Sequence, residues 1–446
     1  LLETAVANAA FVFLALLPAH QRDQGPGLLG LGFVNNPDPS TQNSVWRVPG
    51  MPALLSLTAA GFAGFAALLP MAPLWAVRGG ADEAGSGLVN GALLLATVLT
   101  QGFVPRLLRR LGTGRVLAAG LLLLGAPSLL MLLSDQLGWV LTLSLIRGVG
   151  FGILTVTGSA AVAHLVAPAR HGAAIGAYGA AIAVPQLLLL PAGPWLAETL
   201  GFWMVFALGT LPLLGIVAAP RLALSLRERE AQQARHRAIP AIDDLEHPTT
   251  STAQRRWIPG LPDGLLRPMT LLLAVTLAGG ALITFAPQMS SSPAGTTGGL
   301  ALLTATAAVS RSGVGALADR HGTKSFLWPL VLLTVVGLVL AASAVKDPDA
   351  TQVPVFLLSM ALIGIAYGGL QNLTLLLSLS VVRPAQYGTA SAVWNMGFDA
   401  GTGVGSVLVG ALAAGFSFPT ALLVTAGISL ATLPLALARG PKSPLT

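Results

Sequence analysis

Twelve long apolar stretches constrain this chain more than any other feature. They run over 54–77, 87–106, 115–133, 138–165, 172–198, 200–224, 268–287, 296–317, 326–345, 353–381, 388–414 and 418–438. A helix needs about 20 apolar residues to cross the roughly 30 Å hydrocarbon core of a bilayer. Charged residues make up 9% of the chain, against about 25% in an ordinary soluble domain. The stretches are continuous rather than alternating in segments of about ten residues, which excludes an outer-membrane barrel. The expected fold is an all-α integral membrane protein with twelve transmembrane helices.

The net charge is +7, and its placement is informative. Twelve spans with both ends on one side put every Lys and Arg on that side except Arg78, Lys346 and Arg147. Arg106, Arg109, Arg110 and Arg115 join spans 2 and 3, and Arg311, Arg320 and Lys324 surround the loop between spans 8 and 9. Such a bias orients the chain in a cytoplasmic (inner) membrane with both ends of the core cytoplasmic. It is a topology signal rather than a nucleic-acid footprint. With no cysteine in the chain, disulfides and Cys-based metal sites do not arise. No cofactor is expected.

Residues 1–53 read as an N-terminal extension, interfacial or partly disordered. The apolar run 4–18 is short for a span, and a turn-rich segment follows it. Residues 225–267 form a central cytoplasmic loop that begins with the charged helix-former "SLREREAQQARHRA". This loop separates a six-helix bundle at 54–224 from another at 268–438, and 439–446 is a cytoplasmic tail.

The halves share weak sequence symmetry, as many transporters do. At an offset of 216, "RGVGFGIL" (147–154) lies over "IGIAYGGL" (363–370), and "PARHGAAIGAY" (168–178) over "PAQYGTASAVW" (384–394). At an offset of 210, "RRLGT" (109–113) lies over "DRHGT" (319–323). The segment "GALADRHGTK" (315–324), through Gly315, Asp319, Arg320, Gly322 and Lys324, resembles the signature loop of the major facilitator superfamily. Arg147 stands where that family carries an Arg in span 4. The resemblance covers about 54–438 and implies two pseudo-symmetric six-helix bundles that rock about a midplane cavity lined by spans 1, 4, 7 and 10. It also implies a cytoplasmic gate at Gly315, Asp319, Arg320, Gly322 and Lys324, with Arg109 and Arg110 in the first-half loop. That loop lacks the acidic position, since Arg109 aligns with Asp319. Partial glycine spacing in span 5 leans toward efflux-type members.

Asp399 is the one carboxylate between Arg383 and Arg439, about 16 Å deep at 1.5 Å per residue. A charge at that depth usually faces a cavity or a partner. Arg147 is the one cation placed at similar depth. Asp399 therefore reads as a proton carrier that Arg147 pairs with or modulates in one conformation; the plainer reading is an interhelical lock. Asn395, Gln186, Gln371 and Asn372 are candidates to hydrogen-bond a substrate, or simply to bond neighbouring helices. Tyr367 and Trp75 could line the cavity or serve as packing and interface anchors.

Gly148 and Gly152, Gly172 and Gly176, and Gly401 and Gly405 are each four residues apart, a spacing that lets helices approach closely in lipid. They are not a dinucleotide loop, because no strand precedes them. No clustered acids or histidines suggest an enzyme or a metal site, and no charged rings or filter loops suggest a channel.

The expected function is secondary transport: proton-coupled efflux of a small drug-like or metabolite molecule, the mostly apolar walls suiting amphipathic or uncharged compounds. Nutrient import, or sensing on the same fold, is the alternative. The expected partners are the substrate, protons and membrane lipid, with the chain monomeric.

Overall fold

A computed structural model describes residues 47–166, 171–238, 264–290, 292–347, 350–382 and 386–438. All regular structure among them is helical. In chain order the spanning elements are α1 (Met51–Arg78), α2 (Glu83–Gln101), α3 (Thr113–Leu133), α4 (Leu137–Leu165), α5 (His171–Thr199) and α6 (Phe202–Gln232). The second set is α7 (Leu266–Met289), α8 (Pro293–His321), α9 (Lys324–Ala344), α10 (Val353–Ser380), α11 (Tyr387–Gly415) and α12 (Phe418–Leu437). All but α8 contain a stretch apolar enough to qualify as a span on composition alone. α8 has the length, 29 residues, but is more polar.

The ends of these helices have local causes. Asp82 caps α2 by accepting a hydrogen bond from the Gly85 amide at 2.8 Å, and Ser292 caps α8 through the Gly295 amide at 3.2 Å. α1 is interrupted at Pro70, which lacks an amide hydrogen for the helix ladder. It begins at Met51, three residues before the expected edge of the extension. The rest of that extension, 1–46, lies outside the described residues. The charged helix-former is helical, since Ala219–Ala238 prolongs the sixth span into the expected central loop; 239–263 lie outside the described residues.

The duplication seen in the sequence reappears in the helix bounds. α2 and its short continuation Val104–Leu111 end at Gly112, and α8 ends at Gly322, 210 residues later. Both glycines adopt positive φ, 82° and 84°, where a Cβ would be strained. α5 at 171–199 and α11 at 387–415 are separated at both ends by the offset of 216. Packing obeys the same arithmetic. Gly148 and Gly152 lay α4 against the carbonyls of Leu93 and Thr97 on α2, while Gly364 and Gly368 lay α10 against Leu303 and Ala307 on α8. A methyl at any of these four positions would overlap backbone.

Two helix pairs carry the main packing between the first six spans and the last six: α2 with α11, and α5 with α8. At the end that bears the α1–α2 and α7–α8 turns, the seam is tight. Asn90 Nδ2 donates to the Leu69 carbonyl at 2.8 Å and to Thr284 Oγ1 at 2.9 Å. Thr284 and Ser406 share a hydrogen bond of 2.8 Å, and Gln288 Nε2 donates to Ser86 Oγ at 2.7 Å. Gly87 and Gly91 let α2 lie directly on α11 at Ser406 and Val407. These are neutral contacts, satisfied within the seam, and they close one end of the molecule.

Candidate substrate cavity

Below that closed end, a cavity of about 160 Å³ lies between the two sets of helices. Its aromatic wall comes from Phe62 and Phe65 of α1, Phe151 of α4, and Trp394 and Phe398 of α11. Phe65 and Phe151 stack with centroids 3.9 Å apart, and Trp394 stacks on Phe398 at 5.8 Å. Polar groups enter from other helices: Thr155 of α4, Gln186 of α5, Arg311 of α8, Tyr367 and Gln371 of α10, and Asn395 and Asp399 of α11. α5, α8 and α11 thus contribute more of the lining than α1, α4, α7 and α10, the spans expected to line it. Gln186, Gln371, Asn395 and Tyr367 line the cavity.

Asp399 is at the wall but only 6% exposed. Its partner is Gln101, the last residue of α2, whose Nε2 donates to Asp399 Oδ2 at 2.7 Å and also lies 3.2 Å from Thr155 Oγ1. The bond joins one set of six helices to the other. Arg147 does not pair with Asp399 here, which corrects the expected ion pair. It is 1% exposed and donates through Nε to the Leu124 carbonyl at 3.3 Å and through Nη2 to the Gly64 carbonyl at 3.2 Å. The arginine therefore ties α4 to α3 and α1 and takes no part in the cavity wall.

The cation at the cavity is Arg311. In the sequence it falls among the charges around the loop between spans 8 and 9, but α8 continues ten residues beyond it, about 15 Å at helical rise. Its Nη1 lies 3.4 Å from Gln371 Oε1. Gln101 was missed because an uncharged amide near a helix end carries no signal of its own. The offset of 210 offered one clue, since it lays Gln101 over Arg311.

Trp75 and Asn372 are not cavity residues. The Trp75 indole donates to the Met131 carbonyl at 2.9 Å, packs on Phe202 and Phe206, and has the Arg78 guanidinium 5.3 Å from its ring. It is an anchor at the end of α1, stabilised in part by the cation over its π face. Asn372 Nδ2 donates to the Arg311 carbonyl, an α10-to-α8 contact, and lies against Gly315. Of the expected packing glycines, Gly148, Gly152, Gly401 and Gly405 each press on a neighbouring helix. Gly176 faces open space, and the surroundings of Gly172 lie outside the described set. Arg109 and Arg110 are exposed; the side chains of Asp319, Arg320 and Lys324 also lie outside the described set.

The family model described as "Major Facilitator Superfamily" matches residues 54–344 and 269–445. The chain belongs to that superfamily. This transporter is 30% identical over 359 residues, 74% of its length and 76% of the relative's, to a protein of Mycolicibacterium smegmatis named as an MFS-type efflux pump. A bacterial homologue of the human lysosomal transporter Spinster has a solved inward-facing structure that matches with a TM-score of 0.63 at 13% identity, covering 89% of this chain and 97% of that one. A D-xylose–proton symporter matches with a TM-score of 0.65 at 15% identity, covering 86% and 96%. At such identities the solved structures speak for the fold alone. The cavity lies between the two repeats, and carrier folds of this kind place their substrate sites at that interface.

Proposed function

We propose that this transporter is a proton-coupled exporter of a small molecule, with Asp399 as the group that takes up and releases the proton. The carrying observation is the bond from Gln101 to Asp399. It spans the seam between the repeats, sits at the cavity wall, and has a titratable acceptor. A hydrogen bond to a carboxylate is roughly twice as strong as one to a neutral acceptor. Protonating Asp399 would weaken its hold on Gln101 and favour separation of α2 from α11 at that level, and deprotonation would restore the hold. The similarity to a protein named as an efflux pump supports the direction of transport.

In this reading both core ends are cytoplasmic, and the closed seam at Asn90, Thr284 and Ser406 faces the opposite side. The cavity then opens toward the cytoplasm. The loops holding Arg109, Arg110, Gly315, Asp319, Arg320, Gly322 and Lys324 form the gate that closes when the molecule turns outward. At about 160 Å³ the cavity is below the roughly 300–1,000 Å³ of common ligand sites, so a larger substrate requires further separation of the repeats.

The test is Asp399→Asn in proteoliposomes, with flux measured with and without a pH gradient. Proton-driven flux falls to the level of protein-free liposomes, while exchange of substrate without a gradient persists. Undiminished proton-driven transport by Asp399→Asn would show that the proton is carried elsewhere.

A further inference from the structure

The two repeat offsets, applied together, pair the contacts of Gln101 with those of Arg311. The offset of 210 lays Gln101 over Arg311. The offset of 216 lays Thr155 over Gln371 and Asp399 over Ala183. In the first crossing, α2 on α11, the Gln101 amide contacts Thr155 at 3.2 Å and the Asp399 carboxylate at 2.7 Å. In the second crossing, α8 on α5, the Arg311 guanidinium contacts Gln371 at 3.4 Å, and the place of the carboxylate belongs to Ala183. Arg311, Gln371 and Ala183 all line the cavity. In the first crossing the amide meets its acid within the protein; the second has the cation without an anion.

Accessibility points the same way. Asp399 is 6% exposed and already bonded, whereas Arg311 is exposed and lines the cavity. Among the described residues no carboxylate lies within ion-pair distance of Arg311. A cation at this depth is costly until an anion or polar group compensates it. The guanidinium fork matches a carboxylate in two-point geometry. Gln186, one turn from Ala183 on α5, adds an amide donor beside the vacancy left by the small side chain. The rest of the wall has aromatic faces from Phe62, Phe65, Phe151, Trp394 and Phe398 among aliphatic residues such as Leu69, Leu94 and Ile283.

We propose that the cavity binds small organic anions, aromatic carboxylates in particular, with the carboxylate held by Arg311 in the space that Ala183 leaves open. This deepens the exporter reading above and rests on it for the cavity being the substrate site. It narrows the expectation of amphipathic or uncharged compounds to amphipathic anions, because the wall carries the fixed charge of Arg311.

The experiment measures binding of naphthoate, naphthamide and naphthylmethylammonium to the purified full chain by quenching of tryptophan fluorescence, with equilibrium dialysis as the second readout. The wild type binds naphthoate about tenfold or more tightly than naphthamide, the scale of one hydrogen-bonded charge pair. Arg311→Gln loses that preference and Arg311→Lys keeps part of it. Ala183→Asp loses it too, because a fixed carboxylate then occupies the slot; Ala183→Asn, similar in size but uncharged, weakens naphthoate much less. Should Ala183→Asp fail to fold, the Gln and Lys variants of Arg311 decide the matter alone.

Naphthamide or the ammonium binding the wild type as tightly as naphthoate would overturn the proposal, as would unaltered naphthoate preference in Arg311→Gln. Flux in liposomes separates this from the exporter reading. Naphthoate that binds through Arg311 but is never moved overturns transport and leaves the anion slot standing. Naphthamide moved as fast as naphthoate by both wild type and Arg311→Gln leaves transport standing and overturns the slot.

Discussion

The α2–α11 and α5–α8 crossings come from duplicated helices with matching bounds, yet their chemistry has diverged. At the first, an amide from one repeat meets an acid from the other in a buried pair, with Gln101 Oε1 left unpartnered. At the second, an arginine occupies the amide's place and an alanine the acid's. A duplicated scaffold supplies two geometrically equivalent positions, and substitution at only a few residues can give them separate tasks. In the reading proposed here one position handles the proton and the other the substrate.

The sharpest contrast lies between the two intramembrane arginines. Arg147 is enclosed and bonded to two backbone carbonyls, while Arg311 faces the cavity. Arg147→Met should lower stability by about 3 kcal/mol, the scale of a disrupted buried polar network, and Arg311→Gln should leave it nearly unchanged. Thermal denaturation of the purified variants measures both, and equal losses would erase the distinction.

The repeat relationship itself is tested next. Gly148→Ala and Gly364→Ala should each destabilise by about 2 kcal/mol through overpacking against the Leu93 and Leu303 carbonyls. Gly176→Ala, with open space around it, should not. A large loss from one member of the Gly148–Gly364 pair alone would mean that the two halves are packed differently.

Gln101→Leu removes the donor to Asp399 and should cost about 1.5 kcal/mol as a lost charge-assisted bond. It should also increase labelling of single cysteines introduced along the α2–α11 seam. The chain contains no native cysteine, so labelling has no background. Unchanged labelling would show that the bond does not hold the seam. The smallest effect is expected from Asn372→Ala, about 0.6 kcal/mol for one interhelical hydrogen bond, with substrate affinity unaltered. A large loss of affinity would return Asn372 to the cavity.

Particular residues show where sequence reading succeeds. Asp399 stood out because an isolated acid in a long apolar run must be compensated, and the structure places it at the cavity. Gly148, Gly152, Gly401 and Gly405 were legible because helices in lipid approach through small residues. Gly176 had the same spacing but no neighbour, since spacing does not say whether another helix is there. Arg147 was found at the right depth with the wrong partner, and Trp75 was found within a span but on the wrong side of it. Depth along a helix follows from residue number, whereas direction around it depends on what packs alongside.

The sequence by itself determined the twelve helices, their division into two repeats and the superfamily, because hydrocarbon demands long apolar helices and because duplicated segments keep their offsets. Tertiary structure decided which polar groups meet. Gln101 and Asp399 are nearly 300 residues apart, and their bond exists only once α2 lies on α11. The open position of Arg311 likewise depends on α5 presenting Ala183, and not an acid, at the second crossing.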